Sequence, residues 1–192
     1  MLFLLALYVA SFAAGYAAVS ASIPFAVELR TRLLTTVVAD MPFSAVVGLL
    51  RSRNLPLAIA LAFLVNLGSG AFLSTTLVGA IPLLGAVGTS LVTLYRGFIL
   101  GVVYYAVLTQ SAAAFVLSAG TLILELGAYV FSGAAGMALS LATVFPDRYG
   151  VQSRWVAFRV AWIDAAKLYL VVAGLLLPAA IWEMTGLFFL LR

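Results

Sequence analysis

The chain has 192 residues, 66% hydrophobic and only 8% charged, with a mean hydropathy of +1.24. Soluble domains carry about 25% charged residues, so a water-soluble globule is excluded. The apolar runs are continuous rather than alternating, which argues against a membrane β-barrel and leaves a bundle of helices, since lipid demands that each span satisfy its own backbone. Cys and His are both absent, which removes thiolate chemistry, Cys/His metal sites and His-based triads. The formal net charge of +4 is spread over segments flanking the apolar runs, where it suits anionic lipid headgroups better than nucleic acid.

Leu2 to Ile23 is the first apolar run, closed by Pro24. No basic residue precedes it and its apolar part is long, so a retained span is expected rather than a secretory signal. Residues 24–53 carry Arg30, Arg32, Arg51 and Arg53 against Glu28 and Asp40. Phe25, Leu29, Leu33 and Val37 recur every four residues, with Val27, Leu34 and Val38 beside them. This spacing predicts an amphipathic helix lying in the headgroup region, with Glu28 and Arg32 paired at i,i+4 on its other side. Met41-Pro42 ends it.

From Asn54 to Pro146 the chain runs 93 residues with two charges, Arg96 and Glu125. Leu55 to Val78 is the second expected span, with Pro56 tolerated in its first turn and Asn66 near its middle. Gly79-Ala80-Ile81-Pro82 breaks it. The third runs from about Thr89 to Thr109 and carries Arg96, Gly97 and Gly101. Residues 112–144 would reach about 50 Å as one helix, so a break is expected at Ser118-Ala119-Gly120-Thr121. That makes 112–120 a half-helix or re-entrant piece and Leu122 to Val144 the fourth span, with Glu125 in its first turn and Ser132, Gly133 and Gly136 on a small-residue face.

Residues 145–164 turn polar, with Trp155, Phe158 and Trp162 as an interfacial stripe. Asp164 and Lys167 are spaced as an ordinary pair. The last span is roughly 165–188, holding Glu183 near its end, and Arg192 closes the chain. The expected architecture is therefore all-α: a polytopic transmembrane helix bundle of about five spans plus a re-entrant or half-helix piece and interfacial amphipathic helices. It forms a single integral membrane domain over 1–192, divided as 1–23, 24–53, 55–144, 145–164 and 165–188. The linkers 24–53 and 145–167 each hold four Lys/Arg. Five spans put them on opposite sides, against the positive-inside preference of one of them; a sixth crossing within 81–120 would reconcile them.

Four segments recur in a familiar order and spacing. They are Phe63-Leu64-Val65-Asn66, Arg96-Gly97-Phe98-Ile99-Leu100-Gly101, Leu122-Ile123-Leu124-Glu125-Leu126-Gly127-Ala128 with Gly133-Ala134-Ala135-Gly136, and Ala179-Ala180-Ile181-Trp182-Glu183. From about residue 55 to 185 the chain resembles the stage II sporulation protein M family of integral membrane proteins. It departs from that pattern where Arg96 replaces an asparagine and Gly120-Thr121-Leu122 replaces a Pro-His-Gly turn. The resemblance implies a non-catalytic membrane protein, since the founding members act in a membrane complex with peptidoglycan-degrading proteins during engulfment. Most relatives occur outside sporulating cells, so the sporulation role itself is not carried over.

The polar residues inside the spans are the candidate site: Asn66, Arg96, Glu125 and Glu183. A lone ionised carboxylate in hydrocarbon is costly, so each must pair, protonate or face water. Glu125 and Glu183 read either as helix-end carboxylates reaching the interface or as an interior polar site; in five spans both end near one face and can share a proton. Arg96 is expected to face the interior, because Gly97 and Gly101 imply a closely packed helix. Asn66 is expected to make an interhelical hydrogen bond worth about 1 kcal/mol or less, the alternative being a place in a solute or proton path. Gly97, Gly101, Gly133 and Gly136 are expected to pack helices. Ser69, between two glycines, has no histidine to activate it, so tight packing is preferred to an intramembrane protease.

The function these features imply is a non-enzymatic anchor or scaffold subunit of a membrane complex, with a small transporter or channel subunit as the alternative. No catalytic residue, metal site or cofactor is expected. The implied partners are the lipid bilayer and other membrane or membrane-associated proteins, a second copy of the chain included, with nucleic acid excluded. The expected place is the cell membrane, crossed several times.

Overall fold

The computed structural model describes residues 1–39 and 41–190, with side chains left aside at 37–39 and 106–110; Asp40 and Arg192 lie outside the described residues. The chain forms an all-α bundle, as its composition requires. Its helices are α1 (Leu2–Ser20), α2 (Pro24–Ala39), α3 (Phe43–Arg51), α4 (Leu55–Gly79), α5 (Gly85–Gln110), α6 (Ala112–Val144) and α7 (Arg154–Leu190). Five of them, α1 and α4 to α7, are long and apolar enough to cross a membrane.

Small residues make the first seam. Leu4, Tyr8, Ser11, Gly15 and Val19 are the buried positions of α1, spaced at three and four as one helix face requires. This face meets α5. A Cβ on Gly97 would strike Ser11 and the Tyr8 carbonyl, one on Gly101 the backbone at Phe12, and one on Gly15 the backbone at Phe98. Small residues on both helices thus let the backbones touch, and the Ser11 hydroxyl donates across the seam to the Leu94 carbonyl.

Helix α4 begins at an Asn54 cap that accepts from the Leu57 amide at 3.3 Å, with Pro56 in the first turn. Its middle, Asn66–Thr76, is wound as a π-helix. On the wider turn Ala71, Thr75 and Thr76 are buried together, four and five residues apart, followed by Gly79 and Ala80. Every threonine of this stretch therefore points inward. At the close of α4, Gly79 lies against Gly136 of α6 so tightly that a Cβ on either would meet the other's backbone.

Helix α6 corrects an expectation. Residues 112–144 form one unbroken helix, so 112–120 is neither a half-helix nor a re-entrant piece. Ser111 caps it by accepting from the Ala114 amide. At the expected breakpoint the Thr121 hydroxyl bonds back to the Leu117 carbonyl at 3.1 Å, and the Trp182 indole donates to the same carbonyl at 3.0 Å. Trp182 also fills the space beside Gly120. The glycine is held by its neighbour.

A short turn of 3₁₀-helix, Pro146–Tyr149, and Gly150 at φ 68° lead into α7. The last helix starts at Arg154, so most of the expected interfacial linker 145–164 is its first three turns. Ala157, Ala161 and Ala165 seat that end of α7 against Leu139 and Ala142 of α6, while Ala180 and Met184 pack with Val46 and Leu50 of α3 at the other end. The two basic linkers consequently lie at opposite ends of α7, with no sixth crossing among the described residues. Helix α2 also differs in detail from its expected stripe. Ala26 is buried and Leu29 and Leu33 partly so, whereas Phe25 points outward; the Glu28–Arg32 pair forms at 2.5 Å.

Candidate functional site

The helices bring their polar side chains to one place. Asn66, one residue past the α-wound part of α4, donates its amide to Glu125 Oε1 of α6 at 2.6 Å. Its carbonyl oxygen accepts from the Tyr129 hydroxyl at 3.3 Å. Glu125 and Tyr129 are one turn apart on α6, so a single amide bridges both, which fixes the Asn66 side chain at both of its polar ends.

Arg96 of α5 faces the same interior. Its guanidinium lies over the Tyr129 ring, 4.7 Å from the centroid. It also donates to the Thr75 hydroxyl at 3.0 Å and to the Ser74 hydroxyl, both on the π-wound stretch of α4. Those hydroxyls in turn bond back to their own helix: Ser74 to the carbonyls of Ser69 and Gly70, Thr75 to that of Gly70 at 3.0 Å. Arg96 makes no ion pair with Glu125. Its charge is met by hydroxyl dipoles and an aromatic face instead.

Glu125 sits in the second third of a long helix, not in the first turn that a break at 118–121 would give it. The reading as a carboxylate at a helix terminus therefore falls for Glu125. Glu183 of α7 is partly buried and makes no hydrogen bond or ion pair with Glu125 among the described residues. Tyr8 of α1, only 2% exposed, packs into the same buried core as Ala71 and Tyr129. One step toward the other end of the bundle, the Thr76 hydroxyl bonds the Ser132 carbonyl at 2.9 Å and the Tyr169 hydroxyl at 2.7 Å, tying α4, α6 and α7 together.

Of the four polar residues singled out in the sequence, Asn66, Glu125 and Arg96 are thus linked through Tyr129, and no hydrogen bond or ion pair among the described residues joins Glu183 to them. Three participants carry no sequence signal of comparable strength: Tyr8, Ser74 and Thr75. Tyr129 did have one, since it lies four residues from Glu125 on the same helical face. The glycines lie elsewhere. Gly97 and Gly101 pack α5 on α1, Gly133 meets Leu4, Thr89 and Thr75, and Gly136 meets Gly79 and the backbone of Thr75 and Thr76. These faces are occupied by the chain itself.

A separate apolar groove of about 690 Å³ opens between the start of α6 and the end of α7, lined by Ala113, Val116, Leu117, Trp182, Gly186 and Phe189 among others. None of the four cluster residues lines it. Among the described residues no three His, Cys, Asp or Glu side chains come together as metal ligands.

A family model described as Stage II sporulation protein M matches residues 2–185. The chain belongs to the stage II sporulation protein M family. No curated protein matches it, and neither does any solved structure. The match begins at α1, so it takes in the helix that contributes Tyr8, ahead of the segments from which the resemblance was first drawn. The protein is thus a membrane protein of a family not known for enzymes. Within it, this chain carries an arginine at 96, and the π-wound stretch of α4 supplies the hydroxyls that receive that charge.

Proposed function

We propose that the chain is a non-enzymatic, multi-pass subunit of the cell membrane that anchors or scaffolds a membrane complex, similar in role to the complex-forming members of its family. One observation carries this reading: the interior polar groups Asn66, Arg96, Tyr129 and Glu125 are linked to one another across helices. Bonds of that kind fix helix positions and make a rigid platform. What remains to meet partners is the outside. Arg32, Arg51 and Arg53 are exposed on the α2–α3 segment, and Trp155, Arg154 and Arg159 at the opposite end.

The test is recovery of the full chain's complex from its native membrane, with partners fixed by site-specific crosslinkers on α2 and α3. Charge reversal at Arg51 and Arg53 is expected to abolish the crosslinks, while Asn66→Leu leaves them in the fraction that folds. Crosslinks indifferent to reversal on α2–α3 would remove the platform idea. A transporter or channel subunit is the second reading, favoured by the carboxylate of Glu125 held by Asn66 inside the bundle. Purified protein in liposomes, assayed for ion leak against its Glu125→Gln variant, separates the two.

A further inference from the structure

The two halves of α4 are held by different partners. The first packs through Ala58 and Ala62 with Val46 and Leu50 of α3 and Ala180 and Met184 of α7. The second is fixed to α6, by the bond from Thr76 to the Ser132 carbonyl and by Gly79 set against Gly136. The π-wound stretch, Asn66–Thr76, connects the two.

This winding answers a mismatch in register. Asn66 and Gly79 are thirteen residues apart, whereas the residues they meet on α6, Glu125 and Gly136, are eleven apart. Helix α6 runs in the same direction and is α-wound throughout. Were α4 wound likewise, it would overshoot by about 3 Å, and at 3.6 residues per turn Asn66 and Gly79 would point about 140° apart. They could not both face α6. A helix bonded from i to i+5 takes more residues for each turn and absorbs the excess. Helix α4 thus holds two residues more than its contacts need.

A second, independent observation concerns what holds these turns. The stretch carries Gly68-Ser69-Gly70 near its start, and glycines give a helix little support. Ser69 is exposed and a Cβ on Gly68 would meet nothing within 4 Å, so the outer side is uncovered. On the inner side Arg96 donates to Ser74 and Thr75. Those hydroxyls bond in turn to carbonyls five residues back, Ser74 to Ser69 at 2.5 Å and Thr75 to Gly70 at 3.0 Å, which is the spacing of the wide turn. One side chain from α5 therefore clasps turns that their own sequence favours weakly.

We propose that the π-wound stretch is a hinge in α4 latched by Arg96. With the guanidinium engaged, the two halves of α4 are joined rigidly and Asn66 stays on Glu125. With it withdrawn, residues 66–76 open locally while each half keeps its own partners. Arg96 is a positioning residue here. The proposal goes beyond the scaffold reading and stands without it.

Amide hydrogen exchange of the full chain in lipid nanodiscs reads the hinge. In the parent, residues 66–76 should exchange faster than residues 128–142 of α6; equal rates would overturn the proposal without any variant having to fold. Arg96→Met, and the milder pair Ser74→Ala with Thr75→Val, should accelerate 66–76 by about tenfold or more and leave 128–142 unchanged. Deleting Gly68 and Ser69 removes the excess, so α4 can run as a plain α-helix in step with α6. In that variant the stretch should exchange slowly, and adding Arg96→Met should no longer accelerate it. Acceleration as large as in the parent would show that Arg96 braces the bundle at large, and the latch would fall. Spin labels on Leu57→Cys and Ile123→Cys, both exposed positions in a chain without native Cys, should report one separation with and without the deletion. A shift of about 3 Å or more would overturn the register argument.

Discussion

Asn66 and Glu125 are 59 residues apart in the chain and joined by a 2.6 Å hydrogen bond. The same amide accepts from Tyr129, so Asn66→Leu deletes two interhelical bonds and leaves a carboxylate oxygen and a phenol without their partner. Interhelical bonds in membranes average below 1 kcal/mol, but stranding buried partners adds to that. A loss of about 1–2 kcal/mol is expected, visible as a lower unfolding midpoint in detergent. Tyr129→Phe, which keeps the ring under Arg96 and drops only the 3.3 Å bond, should cost less. A midpoint for Asn66→Leu equal to the parent's would mean that the bridge contributes nothing.

The glycines sort into two groups by what a methyl would meet. Gly101→Ala drives a Cβ into the Phe12 carbonyl and Gly79→Ala one into the Gly136 backbone, so helices must separate. Overpacking of this kind costs about 1–3 kcal/mol, read as early loss of the monodisperse peak on size-exclusion chromatography after heating. Gly68→Ala and Gly174→Ala meet nothing within 4 Å and should match the parent. Gly133→Ala is intermediate, because the nearest atom is the Leu4 Cδ1 at 3.0 Å, the end of a side chain that can turn aside.

How far the sequence reaches is set by the range of the physics involved. Composition and run length report on the solvent, so five apolar helices followed from them, and i,i+4 and i,i+3 spacing gave the Glu28–Arg32 and Asp164–Lys167 pairs. The continuity of α6 did not follow. Ser118 to Thr121 carries local break signals, and Trp182, more than sixty residues away, overrides them. The π-winding of Asn66–Thr76 was equally hidden, since it matters through which neighbours it aligns: it turns Thr75 and Ser74 toward Arg96. Tyr8 is one apolar-looking position in an apolar helix, and its role appears only once α1 is laid against α5.

Tyr149 lies in the turn between α6 and α7, outside the spans. Burial raises its hydroxyl above the ordinary value of 10.0, Asp164 raises it further, and Arg148 opposes them. The unfolded chain therefore releases this proton first as pH climbs past 10, while the folded chain still holds it. The contribution is fully present below pH 10 and is lost as pH rises through the folded value. Stability of the parent should fall more steeply above pH 10 than that of Tyr149→Phe, with Asp164→Asn in between. Parallel alkaline profiles for parent and Tyr149→Phe would contradict this assignment.

Trp182 and Leu117 hold the first turns of α6 to the end of α7. The indole N–H needs an acceptor in apolar surroundings and takes the Leu117 carbonyl at 3.0 Å, while Gly120 and Gly186 leave room for the two side chains to interlock. Phe115 and Val116 beside it are exposed, so few other contacts restrain this stretch. In Trp182→Phe the hydrogen bond is lost and most of the ring packing is kept, at a cost of about 0.5–1.5 kcal/mol. The loss is local, and amide hydrogen exchange in residues 112–121 should accelerate roughly fivefold for each 1 kcal/mol, with residues 128–142 unchanged. Uniform acceleration along α6 would show instead that the groove end and the helix junction open as one unit.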